Sequence, residues 1–322
     1  VSVHPEQDDA LPPEPDHARL DDTALDDTAL DDTVLDDTVR ALRLVPDDAR
    51  GFDVPWAEAE RDYNLPPEVL RLMLAEGLGR PSGFDHFDLL NVSLDLGVRS
   101  LWTFGPASWA KGLRAPAGTV VRAEVEYVPE CAHEPGEDAD CDFRVLLPGG
   151  WTPCSQGAAV ARFELPASWP RPEPRAAELL EEFGRVRFVR LPMTAGLDLD
   201  FIGRTGIADC TGGSLFLVRE GRRRGLPIRL AQGVILSPPF SVLHYWAEIE
   251  NDGVWVPHDP LIVGAMLRWG LLDPAEWDVR RSTGAVLARV SGEMGPMGLD
   301  AGRPAGVSFA TTVRTVPTGS RG

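Results

Sequence analysis

An α+β fold is the class this sequence predicts: a helix carrying a cysteine, packed on an antiparallel sheet, with a β-rich region ahead of it. Three observations carry that reading. Asp209 to Gly225 reads as a capped helix with a clear stop. After it, IRLAQGVIL, VLHYWAEIE and VWVPHDP follow as three apolar strands joined by SPPFS and NDG, short connections that make neighbours antiparallel. Before it, FDLLNVSLDL, TVVRAEVEYV, CDFRVLLP and AVARFEL alternate partially, with Gly, Pro and Asp between them.

Taken in order, the chain opens on residues 1–40, an acidic tail containing LDDTALDDTALDDTVLDDTV. A five-residue period matches neither a helix nor a strand, so 1–40 is expected to be disordered and solvated. Residues 41–165 read as a helical segment plus the β-rich domain. The helical part is marked by Pro66-Pro67 followed by EVLRLMLAEGLG, a proline entry and a glycine exit. Residues 166–175, PASWPRPEPR, carry four prolines in ten and read as a linker. AAELLEEFG then starts a catalytic-type domain over 176–290. Residues 291–322 are a Gly/Pro-rich extension containing one strand, VSFATTVRTV.

The composition, 43% hydrophobic and 25% charged, is that of a globular protein. The net charge of −19 is concentrated at the start. Residues 1–40 hold 13 acidic and 2 basic side chains, and the other 282 hold 37 and 29. No basic patch marks a nucleic-acid footprint. RRR at 222–224 is a solvated helix end. No apolar run reaches the ~18–20 residues that span a bilayer, and the acidic, Pro-rich start lacks a signal's basic and apolar parts. The expectation is a cytoplasmic protein with neither a nucleic-acid nor a membrane partner. Cys131, His133, Cys141 and Cys154 lack the CxxC spacing of a zinc knuckle, so the three cysteines are read as reduced thiols. No metal or organic cofactor is expected.

The chemistry concentrates in Asp209 to Pro260. Asp209 can cap the helix, which puts Cys210 in the first turn, where the positive end of the helix dipole favours the thiolate. Gly212 and Gly213 cost that helix ~1 kcal/mol each relative to Ala, so a close neighbour is expected against them. In VLHYWAEIE, His244, Trp246 and Glu248 share a strand face. Asp252-Gly253 is a hairpin signal. A two-residue loop sets Trp246 opposite Asp259 with His244 diagonal to it; a four-residue loop sets His244 opposite Asp259. Either lets the carboxylate orient the imidazole, whereas a three-residue loop without a bulge throws them to opposite faces. A thiol, an imidazole and a carboxylate so placed are the parts of a nucleophilic acyl-transfer site. Trp246 is a candidate wall of the substrate site or a core residue. His258 points to the other strand face and is given no catalytic role.

This stretch resembles the transglutaminase-like superfamily of papain-type thiol enzymes. The resemblance rests on DC at 209–210, GLPIR at 225–229, HYWAE at 244–248 and WVPHDP at 255–260. It implies Cys210 as nucleophile, His244 as general base and Asp259 as the orienting acid. Tyr245 stands where the family commonly has a smaller residue. The Cys210 backbone N–H can supply one oxyanion donor, and the second is unassigned. The resemblance implies an acyl-enzyme on Cys210 formed from a peptide, amide or thioester, then resolved by water or an amine. The rivals are an amide synthase taking acyl groups from carrier-bound thioesters and a non-catalytic scaffold on the same fold. Oligomeric state is not legible in the sequence.

Overall fold

The computed structural model describes residues 32–98, 100, 104–130, 142–154 and 157–319. Within them the chain is mixed α+β, with ten α-helices and several antiparallel sheets. It opens on α1 (Asp32–Leu42), where Leu35, Val39 and Leu42 are buried. Those positions lie at i, i+4 and i+7, one helical face. Over 32–40 this overturns the expected disorder; 1–31 lie outside the described residues. A leucine recurring every five residues drifts around a helix, but Leu35 and Val39 are four apart and the non-repetitive RALRLV continues the stripe.

Next come α2 (Trp56–Asp62), α3 (Pro67–Ala75) and the small hairpin of β1 (Gly79–Arg80) and β2 (Gly83–Phe84). As expected, α3 enters through proline, and Gly77 just past its end has φ +81°. FDLLNVSLDL is not a strand: it forms α4 (His86–Asp95). The Asp85 carboxylate caps it, accepting from the N–H groups of Phe87 (2.9 Å) and Asp88 (3.2 Å). Its polar residues Asp88, Asn91 and Ser93 are buried and satisfied. Asp88 pairs with Arg50 at 2.8 Å, Asn91 bonds to backbone carbonyls, and Ser93 bonds to Tyr63 O.

After α5 (Phe104–Leu113) come β3 (Thr119–Pro129), β4 (Phe143–Leu147), β5 (Gly150–Pro153) and β6 (Ala159–Pro166). Residues 166–175 do not hang free as a spacer. Asn251 Nδ2 donates to Arg171 O at 2.5 Å, and the Trp169 indole fills the space against Gly284 so closely that a Cβ there would come within 2.4 Å. Then follow α6 (Pro174–Phe183), β7 (Arg187–Phe188), α7 (Met193–Gly196), α8 (Leu199–Thr205), β8 (Ile207–Ala208) and α9 (Cys210–Arg223). The chain ends with β9 (Ile228–Ile235), β10 (Phe240–Asn251), β11 (Val254–His258), α10 (Pro260–Arg268), β12 (Leu287–Ser291), β13 (Gly298–Asp300), β14 (Arg303–Ala305) and β15 (Val307–Pro317).

The main sheet runs β12-β9-β10-β15-β3-β6, with β11 also on β10. The C-terminal strand β15 is therefore central: it pairs with β3 over eleven positions and with β10 over two. The β-rich region is thus no separate preceding domain, since β15 joins β3 and β6 to the later strands. The boundaries near 165 and 176 do not divide the interior either. One apolar core holds Leu35, Leu70 and Leu89 from the N-terminal helices together with Leu180, Leu217 and Ala247.

Beside the Cys210 helix, β10 has β9 along one edge over 242–249. Its other edge pairs with β15 at 240–241 and with β11 at 247–251. Residues 242–246 therefore have a strand partner on one side only, and α9 fills the gap. The Ser214 hydroxyl donates to the Tyr245 carbonyl at 2.9 Å, tying the helix to the strand's otherwise unpaired edge.

Candidate active site

Local chemistry fixes the start of α9. The Asp209 carboxylate accepts from Gly212 N–H at 2.8 Å and caps the helix, as its sequence predicts. Cys210 is the first helical residue, a buried free thiol 8% exposed. The two glycines meet the close neighbours expected of them. A Cβ on Gly212 would lie 1.9 Å from the Gly196 carbonyl oxygen in α7, and one on Gly213 would lie 2.8 Å from Leu261 Cδ2. Glycine at 212 is what lets α7 press against the first turn of α9.

The hairpin between β10 and β11 turns on Asp252 and Gly253 alone. Both have positive φ (+51° and +80°), and Asn251 pairs with Val254, the two-residue geometry that matches strand twist. The ladder ends at Ala247 opposite His258. Asp259 leaves the strand at that point and becomes the N-cap of α10, with Pro260 at the first helical position. One carboxylate then serves two elements. Oδ1 accepts from Ile262 N–H at 2.9 Å, and Oδ2 accepts from His244 Nε2–H at 2.6 Å.

With Nε2 committed to Asp259, the other imidazole nitrogen is left for the sulfur. Burial pulls the His244 pKa down. The Cys210 charge, the hydrogen bonds to Asp259 and Cys210 and the Asp259 charge together outweigh it and carry it up to about 10. The ring is 3% exposed, and burial leaves these partners largely unscreened. Cys210, His244 and Asp259 are thus brought together at the start of α9, the middle of β10 and the start of α10.

Trp246 is not placed with them as a substrate wall. It is fully buried among Ile262, Met266 and Trp277, with its ring 6.3 Å from that of His244 at 16°. Alternation along β10 does put it on the histidine's face, but α10 covers that face beyond His244. His258 is also buried, and burial pushes its pKa down to about 4. Of the set weighed for zinc, Cys154 is a buried free thiol, and Cys131, His133 and Cys141 lie outside the described residues.

Sequence reasoning missed Arg190 and named Tyr245 only as a departure from the family's pattern. Tyr245 is buried close enough to Cys210 that, after burial itself, the sulfur's charge raises its pKa. Arg190, just beyond β7, lies near enough to Asp209 for its charge to lower that carboxyl's pKa against a larger upward pull from burial. No sequence signal marks Arg190, because a two-residue parallel strand pair sets its position. No protein-family model matches the chain, and no curated protein matches it either.

Proposed function

We propose that this chain is a thiol acyl-transfer enzyme of the transglutaminase-like kind, with Cys210 as nucleophile, His244 as base and acid, and Asp259 as the orienting carboxylate. One observation carries the reading. A buried imidazole is bonded to a carboxylate at 2.6 Å and lies close enough to a thiol at the start of a helix that the sulfur's charge helps to hold its proton. A core that needed only packing would not bury three such groups in contact. The helix on an antiparallel sheet, and the order Cys, His, Asp along the chain, agree with the resemblance in the sequence.

In this mechanism the Cys210 sulfur attacks the carbonyl carbon of an amide, ester or thioester. A C–S bond forms and the carbonyl electrons move onto oxygen. The developing oxyanion can take the Cys210 backbone N–H at the start of α9, since the Gly212 N–H is held by Asp209. Collapse expels the leaving group, which takes its proton from the His244 imidazolium. Water or an amine then gives its proton to His244 and attacks the acyl-enzyme, releasing acid or amide and restoring the thiol. Asp259 holds the ring in the tautomer and orientation that serve both transfers.

A small panel of thioester, ester and amide donors, read by intact mass, tests the proposal. The expected result is an acyl adduct mapped to Cys210 with at least one donor, absent in Cys210→Ser and lost faster when hydroxylamine is added. No adduct with any donor, or equal labelling of Cys154, would count against it and favour the scaffold reading. The partition between acid and amide products, with an amine present, separates a hydrolase from an amide synthase.

A further inference from the structure

Arg190 is held in place at an unusual position. Its backbone is clamped by Asn91, which is 4% exposed: Arg190 N–H donates to Asn91 Oδ1 at 2.8 Å, and Asn91 Nδ2 donates to Arg190 O at 2.9 Å. Just before it, β7 runs parallel to β8, with Phe188 abreast of Ala208 and Val189 N–H donating to Ala208 O at 2.9 Å. The residues that follow on the two strands are Arg190 on one and Asp209 and Cys210 on the other. The arginine and the nucleophile therefore leave the same end of one strand pair.

The guanidinium is half-buried, and among the described residues it has no ion-pair or hydrogen-bond partner. The acid that its charge reaches, Asp209, already caps α9. His86, which also feels the Arg190 charge, is bonded through Nδ1 to the Tyr63 hydroxyl, and burial pushes its pKa down, away from the charged form. Arg187 and Arg268, by contrast, share the Asp95 carboxylate at 2.6 and 3.1 Å. A guanidinium on an anchored backbone, with no ion-pair partner among the described residues and with its charge reaching the residue that caps the nucleophile's helix, is an open fork for an incoming oxyanion.

We infer that Arg190 anchors an anionic oxygen group, a carboxylate or phosphate, carried by the acyl donor near the carbonyl that Cys210 attacks. This rests on Cys210 being the nucleophile. A neutral donor leaves the guanidinium unpaired, so the site favours anionic donors over neutral isosteres of the same size.

Paired alkylation of the full-length protein tests this without a known substrate. Iodoacetate and iodoacetamide both lose iodide to the Cys210 sulfur and differ in charge, so the ratio of their rates cancels the sulfur's own reactivity. Rates at Cys210 are read by peptide mass, with glutathione as the free-thiol reference. The expected iodoacetate-to-iodoacetamide ratio is about tenfold or more above that of glutathione, the scale of one charge-assisted contact. Arg190→Gln should bring the ratio down to the glutathione value with the iodoacetamide rate within about twofold, and Arg190→Lys should retain most of it. Stronger protection from iodoacetate by succinate than by inorganic phosphate assigns the group as a carboxylate, and the reverse assigns a phosphate. Protection by neither, or a ratio unchanged in Arg190→Gln, would overturn the inference. A slow iodoacetamide reaction with the ratio still raised would tell against the thiol-enzyme reading alone.

Discussion

Asp259 shows how one side chain can hold a fold and a reaction centre together. Its two oxygens go to separate tasks, Oδ1 to the first turn of α10 and Oδ2 to His244, so two substitutions can pull them apart. Asparagine is as good an N-cap as aspartate, and Asp259→Asn should keep the thermal transition while turnover falls by up to ~10⁴, the loss seen for this change in a comparable triad. Asp259→Ala should lose turnover and also ~1 kcal/mol of stability with the cap. Equal turnover in Asp259→Asn and the parent, once a donor is known, would remove the residue from the triad. The His244 ring carries a second prediction. Its pKa is raised from the usual 6.5 to about 10, so the charged ring contributes stability fully below pH 6.5, and that contribution is lost as pH climbs through about 10. Nitrogen-15 NMR of the imidazole should show a cation throughout the neutral range. In Cys210→Ser, which removes the largest charge holding the proton, titration should move toward neutral pH. A midpoint unmoved by that change would contradict the contact between sulfur and ring.

At the scale of elements, the first turn of α9 depends on bare backbone at 212. Gly212→Ala sets a Cβ against the Gly196 carbonyl, which is backbone and cannot step aside, whereas the contact at Gly213 is with the movable end of Leu261. Gly212→Ala should therefore cost at least the ~1–3 kcal/mol of an overpacked core and slow Cys210 chemistry, and Gly213→Ala should cost less. Denaturant titration of the two variants checks the order. These elements were legible because their signals were local. Asp209 before the helix, Gly225 with φ +71° after it and Asp252-Gly253 between strands act through their own backbones. Even the site was legible in part, since a two-residue turn fixes which residues share a face. α4 was not legible, because its polar residues are paid for by partners distant in sequence, Arg50 and Arg190 among them. Trp246 could not be settled from alternation either, since only α10, folding back from Asp259, decides that its face is closed.

For the whole molecule, the ends of the chain hold its middle. The C-terminal strand β15 joins β3 to β10. At the other end, the Thr38 hydroxyl in α1 bonds to Asp95 at 2.8 Å, and the same carboxylate takes Arg187, Arg268 and the Trp269 indole N–H at 2.6 Å. Burial works to raise the Asp95 pKa, but Arg268, Trp269 and Arg187 hold it below the usual carboxylate range. A chain starting at Ala41 loses most of α1, including the buried Leu35 and Val39. At ~1.5–3 kcal/mol per buried aliphatic side chain, and a few degrees per kcal/mol, its transition should fall by several degrees or more. An unchanged transition would show that α1 adds nothing to the core. A tail reading cannot anticipate this, because the face of α1 is completed by helices that follow it. The absent domain boundary has the same origin: no local signal in VSFATTVRTV says that its partner strand begins at Thr119.

The central claim, that Cys210 is a nucleophile activated by a paired imidazole, is tested most directly by its rate of alkylation with iodoacetamide at pH 7, mapped to the residue and compared with glutathione and with His244→Ala. Cys210 should react selectively, well ahead of both glutathione and the buried Cys154, and should lose that advantage in His244→Ala assayed below its own, lowered thermal transition. A Cys210 that reacts no faster than a free thiol, or equally fast without His244, would contradict it.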